Sequence, residues 1–264
     1  MRCLLGFAAL ALLASPALAE SPFSFGGSVG YEFPVDGKIL DRTGGTSVNL
    51  TTLNPSLAGT GILRLRGTDY KDSHDGTLAA TVEVRYALSQ MSEVFGALSY
   101  RQANGKVADI GCIEVVVGGV TNCNTPLRAA FSDFKQAGVE LGYRQWLTSG
   151  IMSERLFPYY AVRAGVTQTD ALTAQVTTNV GAVTNASIGT WKLYDDKVTY
   201  MVGADLGATY LIAPSAELGA EVGVRYYSKL SDNDTNLTAL GLANANNKSE
   251  RITIPVSVRL NAAF

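Results

Sequence analysis

His74 is the only histidine of the chain, and it lies in the acidic segment DYKDSHDG beside Asp69, Asp72 and Asp75. Carboxylates next to an imidazole could activate a water molecule by general acid–base catalysis. Such a site needs groups from a second part of the chain, and no other segment contains a histidine. We therefore predict a solvated polar loop at this position, with no catalytic residue and no enzymatic activity.

Two further patterns resemble parts of chemical sites. The run SDNDTN places Asp232, Asp234 and Asn236 at calcium-loop spacing, but the glycine and the distant glutamate of such a loop are missing. A serine–histidine pair would have to recruit His74, and no serine is marked as its partner. We predict no metal ion and no cofactor. The net charge of −2 gives no support to nucleic-acid binding.

The clearest pattern of the chain is its last segment, RITIPVSVRLNAAF, at residues 251–264. Apolar residues occupy every even position and polar residues most of the odd positions. A period of two predicts a strand with one apolar and one polar face. Globular strands are usually about five or six residues long, so a strand of this length indicates that the apolar face contacts lipid.

Similar alternation recurs along the whole chain, and helical periodicity is absent after the first residues. Short and long polar breaks alternate between the segments, as in barrels with tight periplasmic turns and larger extracellular loops. We predict one all-β domain, a single antiparallel transmembrane β-barrel with ten strands, and keep eight strands as the alternative. The ten predicted strands are 21–33, 45–53, 59–68, 77–88, 93–101, 134–146, 155–167, 198–212, 216–228 and 251–264.

The beginning of the chain indicates export. Arg2 precedes a short apolar run over residues 4–13 and an A-x-A motif at 17–19. We predict a secretory signal peptide over residues 1–19, followed by the barrel domain over 20–264. The remaining cysteines, Cys112 and Cys123, lie in one polar stretch, which in an oxidising compartment favours a disulfide over two free thiols.

Tyrosines on the predicted lipid face form two groups. Such rings collect where a membrane meets water. Tyr86, Tyr143, Tyr160 and Tyr210 fall toward the predicted periplasmic ends of strands. The predicted extracellular girdle consists of Tyr31, Tyr100, Tyr200 and Tyr226.

The opposite, polar faces should meet in the lumen, because backbone groups in lipid must pair internally and the sheet must therefore close. Buried charges are tolerated only when they pair or stay hydrated. Glu32 also lies on this face. We predict a lumen charge network of Arg64, Arg66, Glu83, Arg85, Arg101, Glu140, Arg144, Arg163, Asp205, Glu217, Glu221, Arg225 and Arg259.

With these features the chain resembles the small outer-membrane β-barrel proteins of Gram-negative bacteria, the OmpA-like and porin-like group. The resemblance rests on the export segment, the alternating strands and the terminal VSVRLNAAF. It implies location in the bacterial outer membrane, contact with membrane lipid and lipopolysaccharide, and insertion by the barrel-assembly machinery. Val256, Val258, Leu260 and Phe264 look like the assembly signal of that group. We expect a monomer.

These observations favour an integral outer-membrane barrel with a structural or narrow-pore role, its lumen filled by the charge network. One alternative is a surface adhesin, or a barrel that contacts hosts or phage through its extracellular loops. A second alternative is an omptin-like rim hydrolase. Omptin proteases resemble the predicted ten-stranded chain and use acidic residues with a histidine at the outer rim, but here only the loop around His74 offers such residues.

Overall fold

The computed structural model describes residues 22–57, 59–117, 120–147, 155–180 and 183–263. The predicted signal peptide and Phe264 lie outside these residues. No helix within the described ranges is long and apolar enough to cross a membrane.

The helices are α1 (Leu50–Leu53), α2 (Tyr70–Ser73) and α3 (Thr235–Thr238). The strands are β1 (Phe23–Leu40), β2 (Thr43–Asn49), β3 (Thr60–Leu65), β4 (Thr68–Asp69), β5 (Thr77–Ser89), β6 (Ser92–Ala103), β7 (Val107–Val117), β8 (Val120–Phe131), β9 (Phe134–Trp146), β10 (Leu156–Thr169), β11 (Leu172–Val180), β12 (Val183–Asp195), β13 (Lys197–Ala213), β14 (Ala216–Tyr227), β15 (Ser231–Asp232) and β16 (Arg251–Ala263).

Eight of these strands close into an antiparallel barrel. Their order around the barrel is β1, β5, β6, β9, β10, β13, β14 and β16. Strand β16 returns to pair with β1, with Val258 opposite Val29, and this pairing leaves the ring without a free edge. The predicted all-β barrel is confirmed, and it has eight strands, the alternative, instead of the ten that we preferred.

The two surplus strands of the prediction explain the difference. The predicted strands 45–53 and 59–68 correspond to β2 and β3, which belong to a second sheet outside the barrel. They alternate because one of their faces covers a water-excluding core. A half-buried sheet in water and a barrel strand in lipid produce the same period of two.

The second sheet has seven strands, in the order β15, β12, β11, β8, β7, β3 and β2. We call these strands and the segments connecting them the head. The head consists largely of the connections 34–44, 102–133, 168–197 and 229–250, which we predicted as long polar loops. All of these connections leave the same end of the barrel, so they meet and fold together.

The head has an apolar core of its own. Leu63, Ile113 and Leu127 are fully buried in it, and Trp191 is nearly so. This core continues down to Phe131 and Phe134 at the barrel rim. Loops that merely surrounded the barrel mouth would leave such side chains in water. The head is therefore a folded body with its own stabilising interior.

The predicted disulfide is confirmed. Cys112 on β7 and Cys123 on β8 are bonded, with their Cα atoms 5.5 Å apart, a usual separation for a disulfide. The bond joins the two strands of one hairpin of the head.

Candidate functional site

The outer surface of the barrel is apolar. Leu98 is 64% exposed, Leu141 69% and Leu206 62%, and their neighbours on the same faces are similarly open. A continuous exposed apolar surface of this kind is unstable in water and stable in lipid. The barrel therefore spans a membrane. On β16, Val256, Val258 and Leu260 face outward as part of this surface, and their role as an assembly signal stays a prediction.

The eight tyrosines of the predicted girdles also lie on the barrel strands. On the end opposite the head, Tyr86 and Tyr143 flank Val94 at one level, while Tyr160 and Tyr210 lie near the same end. Toward the head, Tyr200 and Tyr226 approach to 6.3 Å between ring centroids. Six of the eight tyrosines are exposed, and Tyr143 and Tyr226 are half-buried. Their role as membrane anchors stays a prediction. The full set is Tyr31, Tyr86, Tyr100, Tyr143, Tyr160, Tyr200, Tyr210 and Tyr226.

The upper lumen, nearer the head, contains a chain of ion pairs. Arg101 donates to Glu32 at 2.8 Å and to Glu140 at 2.6 Å. Glu140 also accepts from Arg163 at 3.2 Å, and Arg163 contacts Asp205 at 2.7 Å. Every one of these side chains is buried. The pairing supplies the compensation that charges need away from water.

The lower lumen continues this chain without a break. Arg163 also contacts Glu221 at 2.8 Å, and Glu221 accepts from Arg259 at 2.9 Å. Arg259 pairs with Glu83, which lies 3.4 Å from Arg144. The remaining members extend the network on both sides: Arg144 pairs with Glu93, Arg225 with Asp205, and Arg85 with Glu83, Glu93 and Glu217.

All eight barrel strands contribute to this lumen network. Its charges nearly balance, with six arginines (85, 101, 144, 163, 225 and 259) against seven carboxylates (32, 83, 93, 140, 205, 217 and 221). Tyr159 and Tyr227 fill space between the charges and donate to Glu221 at 3.0 Å and Glu32 at 2.9 Å. Because these side chains are large and, apart from Glu217, fully or almost fully buried, they occupy the interior of the narrow barrel.

Two predicted members of the network are wrong. Arg64 lies on β3 in the head, where it pairs with Glu114 and its side chain is 49% exposed. Arg66 follows β3 and is exposed. Both errors have the same cause as the wrong strand number, because strand 59–68 alternates over the head core and not over the lumen.

The prediction also missed four lumen residues, although the alternation could have identified them. Glu93 shares the inward face of β6 with Arg101, and Tyr159 shares that of β10 with Arg163. Tyr227 lies two residues after Arg225, and Arg251 lies two residues before Thr253 on the inward face of β16.

Arg251 forms the boundary between the lumen and the head. Its guanidinium lies 4.1 Å from the ring centroid of Tyr227, 4.3 Å from that of Phe134 and 5.4 Å from that of Tyr70. It donates to Gln136 at 2.9 Å, and within the described residues no carboxylate lies inside ion-pair distance. Aromatic faces attract a cation most strongly where water is excluded. The three rings and Gln136 therefore hold Arg251 at the level where the lumen meets the head core.

His74 lies at the same boundary and is almost completely buried, contrary to the predicted solvated loop. Its Nδ1 is 2.9 Å from Ser73 Oγ, and its Nε2 is 3.0 Å from the backbone oxygen of Ser132. Burial lowers the pKa of His74 to about 4. Both ring nitrogens are occupied, so the imidazole fastens α2 to the barrel rim and is not available to a substrate.

The remaining polar candidates show no catalytic or metal-binding arrangement in the described parts of the chain. The Asp232 carboxylate lies 2.7 Å from Lys229 Nζ and forms an ion pair with it. Across the described ranges, no three histidine, cysteine, aspartate or glutamate side chains are grouped so that they could hold a metal ion. The serine nearest to His74, Ser73, is fully buried.

Comparisons with solved structures find bacterial outer-membrane barrels to which the chain has low similarity. No family model matches the chain, and no curated protein matches it in sequence. Neisserial surface protein A is 11% identical with a TM-score of 0.42, and the match covers 92% of this chain and 98% of that one. Ail, the attachment invasion locus protein of Yersinia pestis, is 10% identical with a TM-score of 0.35, covering 90% and 97%. The outer-membrane protease OmpT of Escherichia coli is 10% identical with a TM-score of 0.36, covering 92% and 95%.

Because these scores are low, the fold and the membrane placement rest on the closed hydrogen bonding and the apolar surface of the barrel itself. The geometry of the chain is that of a single-chain barrel of the bacterial outer membrane.

Proposed function

We propose that this protein is a closed outer-membrane barrel that holds its head at the cell surface. The observation that carries the proposal is the lumen network, which joins all eight strands by ion pairs between buried side chains. A path for solutes would have to separate several of these pairs. The narrow-pore role has less support, since aqueous channels belong to barrels of about sixteen strands.

The structure of the head favours the alternative in which the protein contacts hosts or phage through its extracellular part. It has an interior of its own and a disulfide inside one hairpin, so its outer surface keeps one shape. Preorganised surfaces lose little conformational entropy when they bind. A head of this kind suits recognition of a host cell, a phage or a neighbouring bacterium better than a set of mobile loops would.

Cells that express variants of the chain provide the test. In one variant, short turns replace the hairpins β7–β8 and β11–β12, so the barrel strands on either side remain connected. We expect this variant to insert normally and to lose attachment to surfaces that retain cells expressing the intact chain. Equal attachment, together with slower uptake of small solutes, would contradict the proposal and favour a permeability role.

The rim-hydrolase alternative is the least supported of the three. It requires an imidazole that can reach a substrate, and His74 is buried with both nitrogens engaged. We further propose that insertion uses the outward residues Val256, Val258 and Leu260 as the terminal signal, and that the barrel functions as a monomer surrounded by lipid and lipopolysaccharide.

A further inference from the structure

The sequence contains a single Asn-Gly dipeptide, Asn104 with Gly105, in the connection from β6 to β7 where the barrel meets the head. In such a dipeptide the glycine nitrogen can attack the side-chain amide carbon of the asparagine, because glycine has no Cβ that shields the nitrogen. Asn104 is exposed, and across the described parts of the chain no hydrogen bond holds its side-chain amide. The group that would be attacked is therefore accessible to water and unrestrained.

The packing of the junction requires glycine at position 105. A Cβ atom there would overlap the backbone oxygen of Phe131 and would lie 2.8 Å from the backbone oxygen of Ser132. Gly105 also pairs with His74 in an antiparallel bridge, so its backbone lies between two neighbouring segments. A residue with a side chain would push these segments apart. The unshielded nitrogen is consequently a requirement of the fold at this point.

Two contacts oppose the reaction while the junction is folded. The Gly105 N–H donates to the Asp133 carboxylate at 3.2 Å. The nitrogen must lose this proton before it attacks, and a negative carboxylate beside it disfavours the amide anion. On the other side, the Asn104 backbone oxygen accepts from the Asp75 N–H at 3.0 Å. Ring closure has to rotate the main chain between these two hydrogen bonds, so the reaction requires local opening of the junction.

We propose that Asn104 is a site of self-modification, which Asp133 keeps slow in the folded protein and which proceeds when the junction between barrel and head opens. In the first step Gly105 N bonds to Asn104 Cγ. The side-chain amide group takes up the proton that the Gly105 nitrogen loses and leaves as ammonia, so that a succinimide ring forms. Water then opens the ring to aspartate or isoaspartate. Neither step needs an oxidant, a reductant or a cofactor.

Isoaspartate changes the junction more than aspartate does. It lengthens the main chain by a methylene group, and it makes the Asn104 backbone oxygen, which accepts from Asp75, part of a free carboxylate. The new charge lies close to the exposed carboxylates of Asp75 and Asp133. Like charges repel, so the modified junction should open more readily than the intact one. This inference does not depend on what the head contacts or on whether the lumen conducts.

The test incubates the folded full chain in detergent at neutral pH and follows the mass increase of deamidation by peptide mass spectrometry. We expect the increase in the peptide that contains Asn104. Asn185 is the internal control, because it is also exposed but precedes Ala186, and its peptide should stay unchanged. Asp133→Ala should speed the reaction at Asn104 at least about fivefold, since a hydrogen bond to a charged group is lost. Asp170→Ala, at an exposed aspartate that follows β10, should change the rate by less than about twofold.

Two further measurements keep the test decisive. In denaturant, the wild-type protein and Asp133→Ala should react equally fast, because Asp133 no longer contacts Gly105. Asp133→Asn keeps an acceptor without the charge and should react at an intermediate rate, which supplies the comparison if Asp133→Ala does not fold. Heat-modifiable migration on gels shows that each variant is folded. An unmodified Asn104 after prolonged incubation, or folded Asp133 variants that react no faster than the wild-type protein, would overturn the proposal.

Discussion

The barrel lumen and the head have opposite interiors. The lumen contains arginines and carboxylates such as Arg144 and Glu140, both with no exposed surface. The head contains leucines, isoleucines and a tryptophan, with Leu127 as a fully buried example. One chain thus builds a charged interior and an apolar interior that meet at Arg251.

This difference shows that the surroundings of each part decide what its interior can be. The outer faces of the barrel strands must be apolar to contact lipid, so their polar residues point inward, where they need partners. The head stands in water, so its apolar residues turn inward instead. Arg251 lies between the two interiors, where three aromatic rings and the side-chain amide of Gln136 contact its guanidinium.

The largest expected effect comes from breaking the charged interior. Glu140→Ala removes the carboxylate that pairs with Arg101 at 2.6 Å and with Arg163 at 3.2 Å. Leaving a buried cation without its partner typically costs about 3–5 kcal/mol. We expect the free energy of unfolding to fall by that amount in urea titrations of the protein in lipid vesicles.

Glu114→Ala is the matched control for that variant. It removes the partner of Arg64 in the head, a pair whose arginine is 49% exposed. Such exposed pairs contribute about 1 kcal/mol or less. If Glu140→Ala were as stable as Glu114→Ala, the lumen would be hydrated and its pairs would not hold the barrel closed.

The apolar interior is tested by Leu127→Ala. Leu127 is fully buried in the head, and removing such a side chain costs about 3 kcal/mol. We expect faster hydrogen exchange in β7, β8 and β11 while the barrel strands keep their protection. The control is Val107→Ala on β7, at a side chain that is 69% exposed. It should change hydrogen exchange neither in the head strands nor in the barrel strands. Faster exchange throughout the barrel would show that the two interiors unfold as one unit.

Removing the disulfide should affect only the head. Cys112 and Cys123 are separated by 11 residues, and the chain-entropy model assigns about 3 kcal/mol to a loop of this size. The paired strands β7 and β8 retain part of that constraint, so we expect a smaller loss for Cys112→Ser with Cys123→Ser. Proteolysis of the hairpin should become faster, and the temperature of barrel unfolding should stay the same. Titratable free thiols in protein purified from cells would rule out the bond.

The boundary between the interiors should respond to pH through His74. Its pKa falls from 6.5 to about 4 on folding, chiefly because of burial, with Arg251 and Lys106 contributing. The unfolded chain therefore binds a proton at a higher pH than the folded chain does, and stability decreases as the pH falls from 6.5 toward 4. Between pH 7 and pH 5 the expected loss is about 2 kcal/mol.

Hydrogen exchange of the Lys106 amide, which donates to Ser73 O at 2.8 Å, reports opening at this boundary. In His74→Gln the dependence on pH over this range should disappear. If His74→Gln showed the same pH dependence as the wild-type protein, titratable groups other than His74 would be its cause.

Local alternation was sufficient to predict the barrel but not its strand number. The period of two in RITIPVSVRLNAAF correctly placed a lipid-facing strand at β16. The same period in β2 and β3 covers a core in water, and no local signal separates the two cases. The long connections look polar in the sequence because their apolar residues are spaced among threonines, asparagines and glycines.

The lumen was predictable in composition and not in its pairs. Alternation placed Glu140, Arg163 and Asp205 inward, and it would also have placed Glu93 and Arg251 there. Which arginine meets which carboxylate depends on the tilt and stagger of eight strands, a property of the closed ring. The buried position of His74 likewise depends on Ser132, which is distant in sequence.

The electrical conductance of single molecules in planar lipid bilayers tests the closed lumen most directly. The paired charges and the ring cage around Arg251 predict that the wild-type protein inserts with no steady current above that of the lipid alone. Glu140→Ala, measured beside it, should show brief openings because one junction of the network is lost. A steady, large conductance of the wild-type protein, with an ion selectivity that shifts in Glu140→Ala, would contradict the account.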